Sequence, residues 1–143
     1  MTDPITAAID QATLIITEAM LASEEVAPRE LDGEVESHLR LVGLGVCRAF
    51  IEARSHELVE QGKVRGLVTQ RRPRVKFYTV FGPIFVESPY MWCAVEQFGW
   101  RPLREEFGVV DKGRSRRLER ALVDFGSERS FAKAAVGFEE HYG

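Results

Sequence analysis

Up to Gly62 the apolar residues of this chain recur at threes and fours; from there to Cys93 they partly alternate, and glycine or proline marks each boundary. One such change of period calls for helices packed beside a small sheet. The alternating part centres on "TVFGPIFVESPYMWC", Thr79 to Cys93, where a single glycine joins two runs of β-branched and aromatic residues. With "KVRGLVTQ" and "RVKFYTVF" before it, this predicts two or three antiparallel strands, with "FGPI" as the tight turn between the last two. Gly82 supplies the positive φ that such a turn often requires. Pro83 and Pro89 cannot donate to a ladder, so the returning strand belongs at an edge or under a helix. A two-stranded hairpin alone is marginal in water, so the flanking helices should pack on it.

Helical periodicity fills the remainder. Ile5, Ile9, Ala12, Ile16 and Ala19 form one stripe, with Asp3 as N-cap and Pro4 in the first helical position. After the connection "ASEEVAPRE", the residues Leu31, Val35, Leu39, Val42, Val46, Phe50 and Ala53 predict a long second helix from Arg29 to Gln61, stopped by Gly62. Gly43 and Gly45 inside it each cost about 1 kcal/mol against alanine, so they either permit close approach of another helix, the commoner reason, or mark a kink. The segment from Val95 to Gly113 reads as a loop anchored by Trp100, Leu103, Phe107 and Val109. Ser115 caps a third helix with Leu118, Ala121, Leu122 and Phe125 on one face, ended by Gly126, and Ser130 caps a fourth with Phe131, Ala134, Ala135 and Phe138 inward. The expected fold is α+β: mostly helical, with a long N-terminal helical pair, a small antiparallel β-hairpin sheet and a C-terminal helix pair. Residues 1–143 form a single domain in this reading, with an acidic helical part (1–62), a basic hairpin part (63–94) and a loop with the helix pair (95–143).

Chemistry-bearing motifs are missing from the sequence. The three histidines, His38, His56 and His141, are far apart, and neither an HExxH, a GxSxG nor a phosphate-binding glycine loop occurs. Cys47 and Cys93 make neither a disulfide framework nor a four-ligand metal site, and read as small buried hydrophobes. No catalytic residue, metal ligand or cofactor is therefore expected. A small enzyme or ligand-binding protein would need polar groups converging near Trp92, Trp100 and His141. The sequence has no uninterrupted apolar run of about 18 residues and no basic, cleavable leader, so a cytoplasmic protein without a membrane partner is expected.

Charge is distributed unevenly. Residues 1–60 hold twelve Asp/Glu against four Arg, a balance of −8, whereas 61–143 hold fifteen Lys/Arg against ten Asp/Glu, a balance of +5. Between Gln61 and Val86 stand Lys63, Arg65, Arg71, Arg72, Arg74 and Lys76 with no acid among them and Phe77 and Tyr78 beside them. A second cluster, Lys112, Arg114, Arg116, Arg117 and Arg120, opens the third helix against Asp111 and Glu119 alone. Two such clusters suit phosphate contacts, which give salt-dependent binding with little sequence information. Equally, Lys and Arg blunt an exposed strand edge. The DNA-binding candidates are Lys63, Arg65, Arg71, Arg72, Arg74, Lys76, Arg114, Arg116 and Arg117.

Three segments in order, "RVKFYTVFGPIFVESPYMWC", "RPLREEFGV" and "SRRLERALVDFGSERSFAKAAVGFEEHYG", carry a resemblance. From Arg74 to Gly143 the chain resembles the N-terminal region of ISKra-type bacterial insertion-sequence transposases. The resemblance implies a DNA-binding and assembly module that precedes an RNase-H-like catalytic domain. Here the chain stops before such a domain, so a truncated, non-catalytic form is expected, with the recognition helix of an implied helix-turn-helix falling after Gly143. Relatives often carry a cysteine pair after the hairpin tyrosine; Cys93 stands alone, which argues against a zinc knuckle. Expected partners are DNA and a second copy paired through the long second helix. The alternative is a dimerisation or regulatory module that binds no DNA itself.

Overall fold

The computed structural model describes residues 3–128, and the fold is α+β. In order along the chain, α1 (Pro4–Ala22), a 3-10 turn (Pro28–Glu30) and α2 (Leu31–Val64) are followed by four strands, β1 (Val68–Arg71), β2 (Arg74–Thr79), β3 (Gly82–Glu87) and β4 (Tyr90–Cys93). Then come β5 (Phe98–Trp100), α3 (Pro102–Phe107), β6 (Gly113–Arg114) and α4 (Arg116–Glu128). The expected fourth helix from Ser130 and the side chain of Phe125 lie outside the described residues, as does His141. The chain divides into two compact units between Leu39 and Arg40, within α2 rather than at the composition change near residue 62.

The first unit holds α1 and the opening turns of α2. Asp3 caps α1 as its sequence position predicts: its Oδ2 accepts a hydrogen bond from the Thr6 amide at 3.1 Å. No residue of α1 is buried, so the stripe of Ile5, Ile9, Ala12, Ile16 and Ala19 is not a core face. At 19 residues with a mean hydropathy of 1.3, α1 is long and apolar enough by composition to cross a membrane. A search for an uninterrupted apolar run overlooks it because Asp10 and Glu18 interrupt the sequence.

The second unit is built around the C-terminal half of α2. Its buried residues are Ile51, Ser55, Leu58, Val59 and Gly62, with Leu44 and Cys47 packed behind them. The stripe predicted from sequence lies elsewhere on the helix, and its Val46 and Phe50 are exposed. Small residues at 47, 55 and 62 hide the true packing face from a hydrophobicity pattern. α2 also runs past the expected stop at Gly62 to Val64, and Gly66, at φ +90°, ends it. The Leu67 amide closes that end on the Gly62 carbonyl at 2.9 Å.

Among the described residues six strands replace the expected two or three, in two three-stranded sheets of order β3-β2-β6 and β1-β4-β5. β2 and β3 pair antiparallel in full register from Arg74 with Glu87 to Thr79 with Gly82. The turn between them is Val80–Phe81 rather than "FGPI", with Gly82 at φ +126° opening β3. The Phe81 amide donates to Thr79 Oγ1 at 3.1 Å, and that hydroxyl donates to the Gly82 carbonyl at 2.8 Å. β3 is an edge strand, consistent with its Pro83. The segment expected as a loop supplies β5, α3 and β6, and its anchors do pack: Leu103 and Val109 are almost wholly buried, and Trp100 and Phe107 lie against the core. Ser115 caps α4 as expected, its Oγ accepting from the Leu118 amide at 3.1 Å, but the helix continues through Gly126 to Glu128.

Two glycines of α2 do different work. A Cβ at Gly62 would stand 2.7 Å from Met91 Sδ and 2.9 Å from its Cε, so the absent side chain leaves the space that the end of the buried Met91 fills. At Gly45 nothing lies within 4 Å of the same position. Gly62→Ala should therefore lower the unfolding free energy by about 1–3 kcal/mol through overpacking. Gly45→Ala should raise it by up to about 1 kcal/mol through helix propensity. Urea unfolding of both variants checks the opposite signs; equal effects would contradict this packing.

Candidate nucleic-acid interface

Alternation on β2 sends Val75, Phe77 and Thr79 into the core and leaves Arg74, Lys76 and Tyr78 on the outer face. On β3 the same rule buries Ile84 and Val86 and turns Pro83, Phe85 and Glu87 outward. Register places Phe85 opposite Lys76 and Pro83 opposite Tyr78. The Arg74 guanidinium lies 4.8 Å from the Phe85 ring centroid, and Lys76 Nζ lies 5.1 Å from Tyr78 and 5.8 Å from Phe85.

A parallel strand of two residues extends this face. β6 pairs with β2 so that Arg114 sits beside Tyr78 and Gly113 beside Phe77. The ladder is held by the Lys112 amide on the Lys76 carbonyl (2.7 Å) and the Ser115 amide on the Tyr78 carbonyl (2.9 Å). Asp111 adds a rung with its side chain, Oδ1 accepting from the Lys76 amide at 3.0 Å. This carboxylate acts in place of a strand carbonyl.

The second sheet presents a similar combination. β1 pairs Thr69 with Met91 and Arg71 with Tyr90, so Gln70 is an extra residue. Without the bulge Arg71 would share the inward side of Thr69; with it, Arg71 shares the outward side of Tyr90. Arg71 lies 5.2 Å and Arg101 4.9 Å from the Tyr90 ring centroid. Arg65 lies 5.6 Å from the Trp100 centroid, and the Trp100 Nε1 donates to Glu105 Oε2 at 2.7 Å. Tyr90 lies across Gly99, where a Cβ would collide with its ring, and a cleft of about 550 Å³ opens among Tyr90, Gly99, Trp100, Arg101, Arg104 and Glu105.

Of the nine predicted residues, Arg74, Lys76 and Arg114 are thus gathered on one outer face and Arg71 on the other, with Arg65 over Trp100. Arg72 lines a groove of about 440 Å³ between α2 and β3, with Arg48, Glu52, His56 and Glu87 among its walls. Lys63 is ion-paired with Glu60 at 3.2 Å. Arg116 and Arg117 are exposed in the first turn of α4 and join neither aromatic group. Arg101 and Tyr90 are not among the residues that the sequence singles out, and Trp100 stands out there as an anchor; the arginine–ring pairs join residues from separate segments and leave no local pattern.

Other ionisable groups serve the scaffold. Arg54 reaches from α2 to α3, its Nε and Nη2 donating to Glu106 and its Nη1 to Glu57, all within 3.0 Å. Those bonds, Glu106 first, raise its already high pKa. Burial raises the Cys47 thiol above its ordinary value, and Cys93 is buried. Among the described residues no three His, Cys, Asp or Glu side chains are grouped as a metal ion would require.

No family model, curated protein or solved structure matches the chain.

The Asp111 rung is open to a direct test. Asp111→Ala should lower stability by about 1 kcal/mol and free β6 from its register, while Asp111→Asn, which keeps an acceptor, should restore most of the loss. Thermal and urea unfolding read the difference. Equal losses in both variants would mean that the side-chain acceptor is not what holds β6.

Proposed function

We propose that this chain is a DNA-binding and assembly module of a transposase-like protein, acting through phosphate contacts and not through catalysis. The observation that carries the reading is the row of cations placed over aromatic rings on the outer faces of both sheets: Arg74, Lys76, Arg71 and Arg101. Ring contact costs these side chains no charge, so they remain available to a polyanion while their freedom is reduced. Exposed arginines of this kind give affinity and orientation rather than sequence choice. The resemblance from Arg74 to Gly143 supports placing that activity in transposition.

A second reading, assembly with another copy, is favoured by a separate feature. Val42, Val46 and Phe50, at intervals of four along α2, are 43%, 61% and 63% exposed. Such a stripe suits burial by a partner helix. The glycine argument for pairing is weaker than the sequence suggested, because the Phe81 ring already occupies the space beside Gly43. The two readings are compatible.

A salt series on duplex DNA tests the first reading. With about four phosphate contacts, affinity should fall about 10²-fold between roughly 50 and 200 mM salt. Joint charge reversal of Arg71, Arg72 and Arg74 should weaken binding further and flatten the slope. Unchanged affinity after reversal would reject these contacts. For the second reading, sedimentation should show a dimer that Val46→Glu dissociates; a monomer over a wide concentration range would reject it.

A further inference from the structure

We propose that the outer face of sheet β3-β2-β6 is a stacking platform for unpaired bases, so that the module takes single-stranded nucleic acid in preference to duplex. The proposal rests on the nucleic-acid reading above and adds the form of the ligand. Phe85 is 42% exposed on an edge strand, where a solvent-facing phenyl ring contributes nothing to the core on the other side of the sheet. Tyr78 shares its face from the neighbouring strand, one register step along. Around these two rings stand Arg74, Lys76 and Arg114, one on each side of the aromatic pair or between its members.

The nearby carboxylates reduce that charge without removing it. Glu87, directly opposite Arg74, Asp111, bonded to the Lys76 amide, and Glu52, in the groove that Arg74 and Phe85 also line, offset part of it. Lys76 and Arg114 stand nearest Tyr78, with no carboxylate paired to them in the strand register. Exposed rings flanked by cations on a sheet are matched chemically by a chain whose bases show π-faces and whose backbone carries phosphates. A duplex hides those π-faces in its stack and offers phosphates alone. The π-faces of the rings can therefore add stacking only with unpaired bases, while the cations serve either form.

Fluorescence anisotropy with the full chain separates the alternatives, using a labelled 15-nucleotide dT strand and a 15-base-pair duplex. Phe85→Leu, which keeps an apolar side chain, should cost about tenfold in affinity for the dT strand and distinctly less for the duplex, where only the ordering of Arg74 and Lys76 is lost. Phe85→Trp should restore strand binding. The salt slope on the strand should be the same in all three proteins, since no phosphate contact is removed. Ultraviolet cross-linking of the unaltered chain to the dT strand provides a readout independent of any variant. The adducts should map to Tyr78 and Phe85.

Several results would overturn the platform. Equal loss on strand and duplex, no loss on either, or adducts confined to other segments would each do so. If Phe85→Leu binds both ligands like the unaltered chain, the platform fails and the phosphate-contact reading survives. If the unaltered chain binds neither ligand at low salt, both fail.

Discussion

The second unit depends on how one buried side chain is accommodated beside one helix. Gly62 leaves the space that Met91 Sδ and Cε fill, and Met91 is wholly buried there. Trp100 follows, packed against both core clusters, the one under β2 and β3 and the one formed by Val59, Leu67, Met91 and Cys93. A close-packed interior transmits such a constraint, because a shift of one methyl group is felt by every neighbour. With the inner faces fixed on α2, alternation leaves the outer faces of both sheets to solvent, and it is there that the cations and rings gather.

Local chemistry made part of this legible in advance. The Asp3 and Ser115 caps, the β2–β3 pairing and the anchors Leu103 and Val109 follow from a few neighbouring residues each. The packing face of α2 does not, because Cys47, Ser55 and Gly62 fit closely without being strongly apolar, whereas Val46 and Phe50 look like core and are exposed. A hydrophobic repeat shows that a helix has a distinct face; it does not show what covers that face.

The candidate interface was legible in composition and hidden in geometry. Six cations without an acid between Gln61 and Val86 mark the region. Which face each occupies depends on the extra residue Gln70, which turns Arg71 toward Tyr90, and on β6, which joins β2 from more than thirty residues away. A strand of two residues carries no period, and a parallel pairing leaves no turn to announce it. Arg101 escaped notice for the same reason: its ring partner comes from a strand formed eleven residues earlier. Lys63, by contrast, belongs to the tract by composition and to Glu60 by contact.

The most direct measurement is an amide NMR titration of the chain with a short single-stranded oligonucleotide. The account predicts shifts concentrated on 71–78, Phe85, Tyr90, Arg101 and Arg114, the residues of the two outer faces, with α1 and the packed side of α2 unmoved. Shifts confined to α1 and α2, or none at a saturating ligand concentration and low salt, would contradict it.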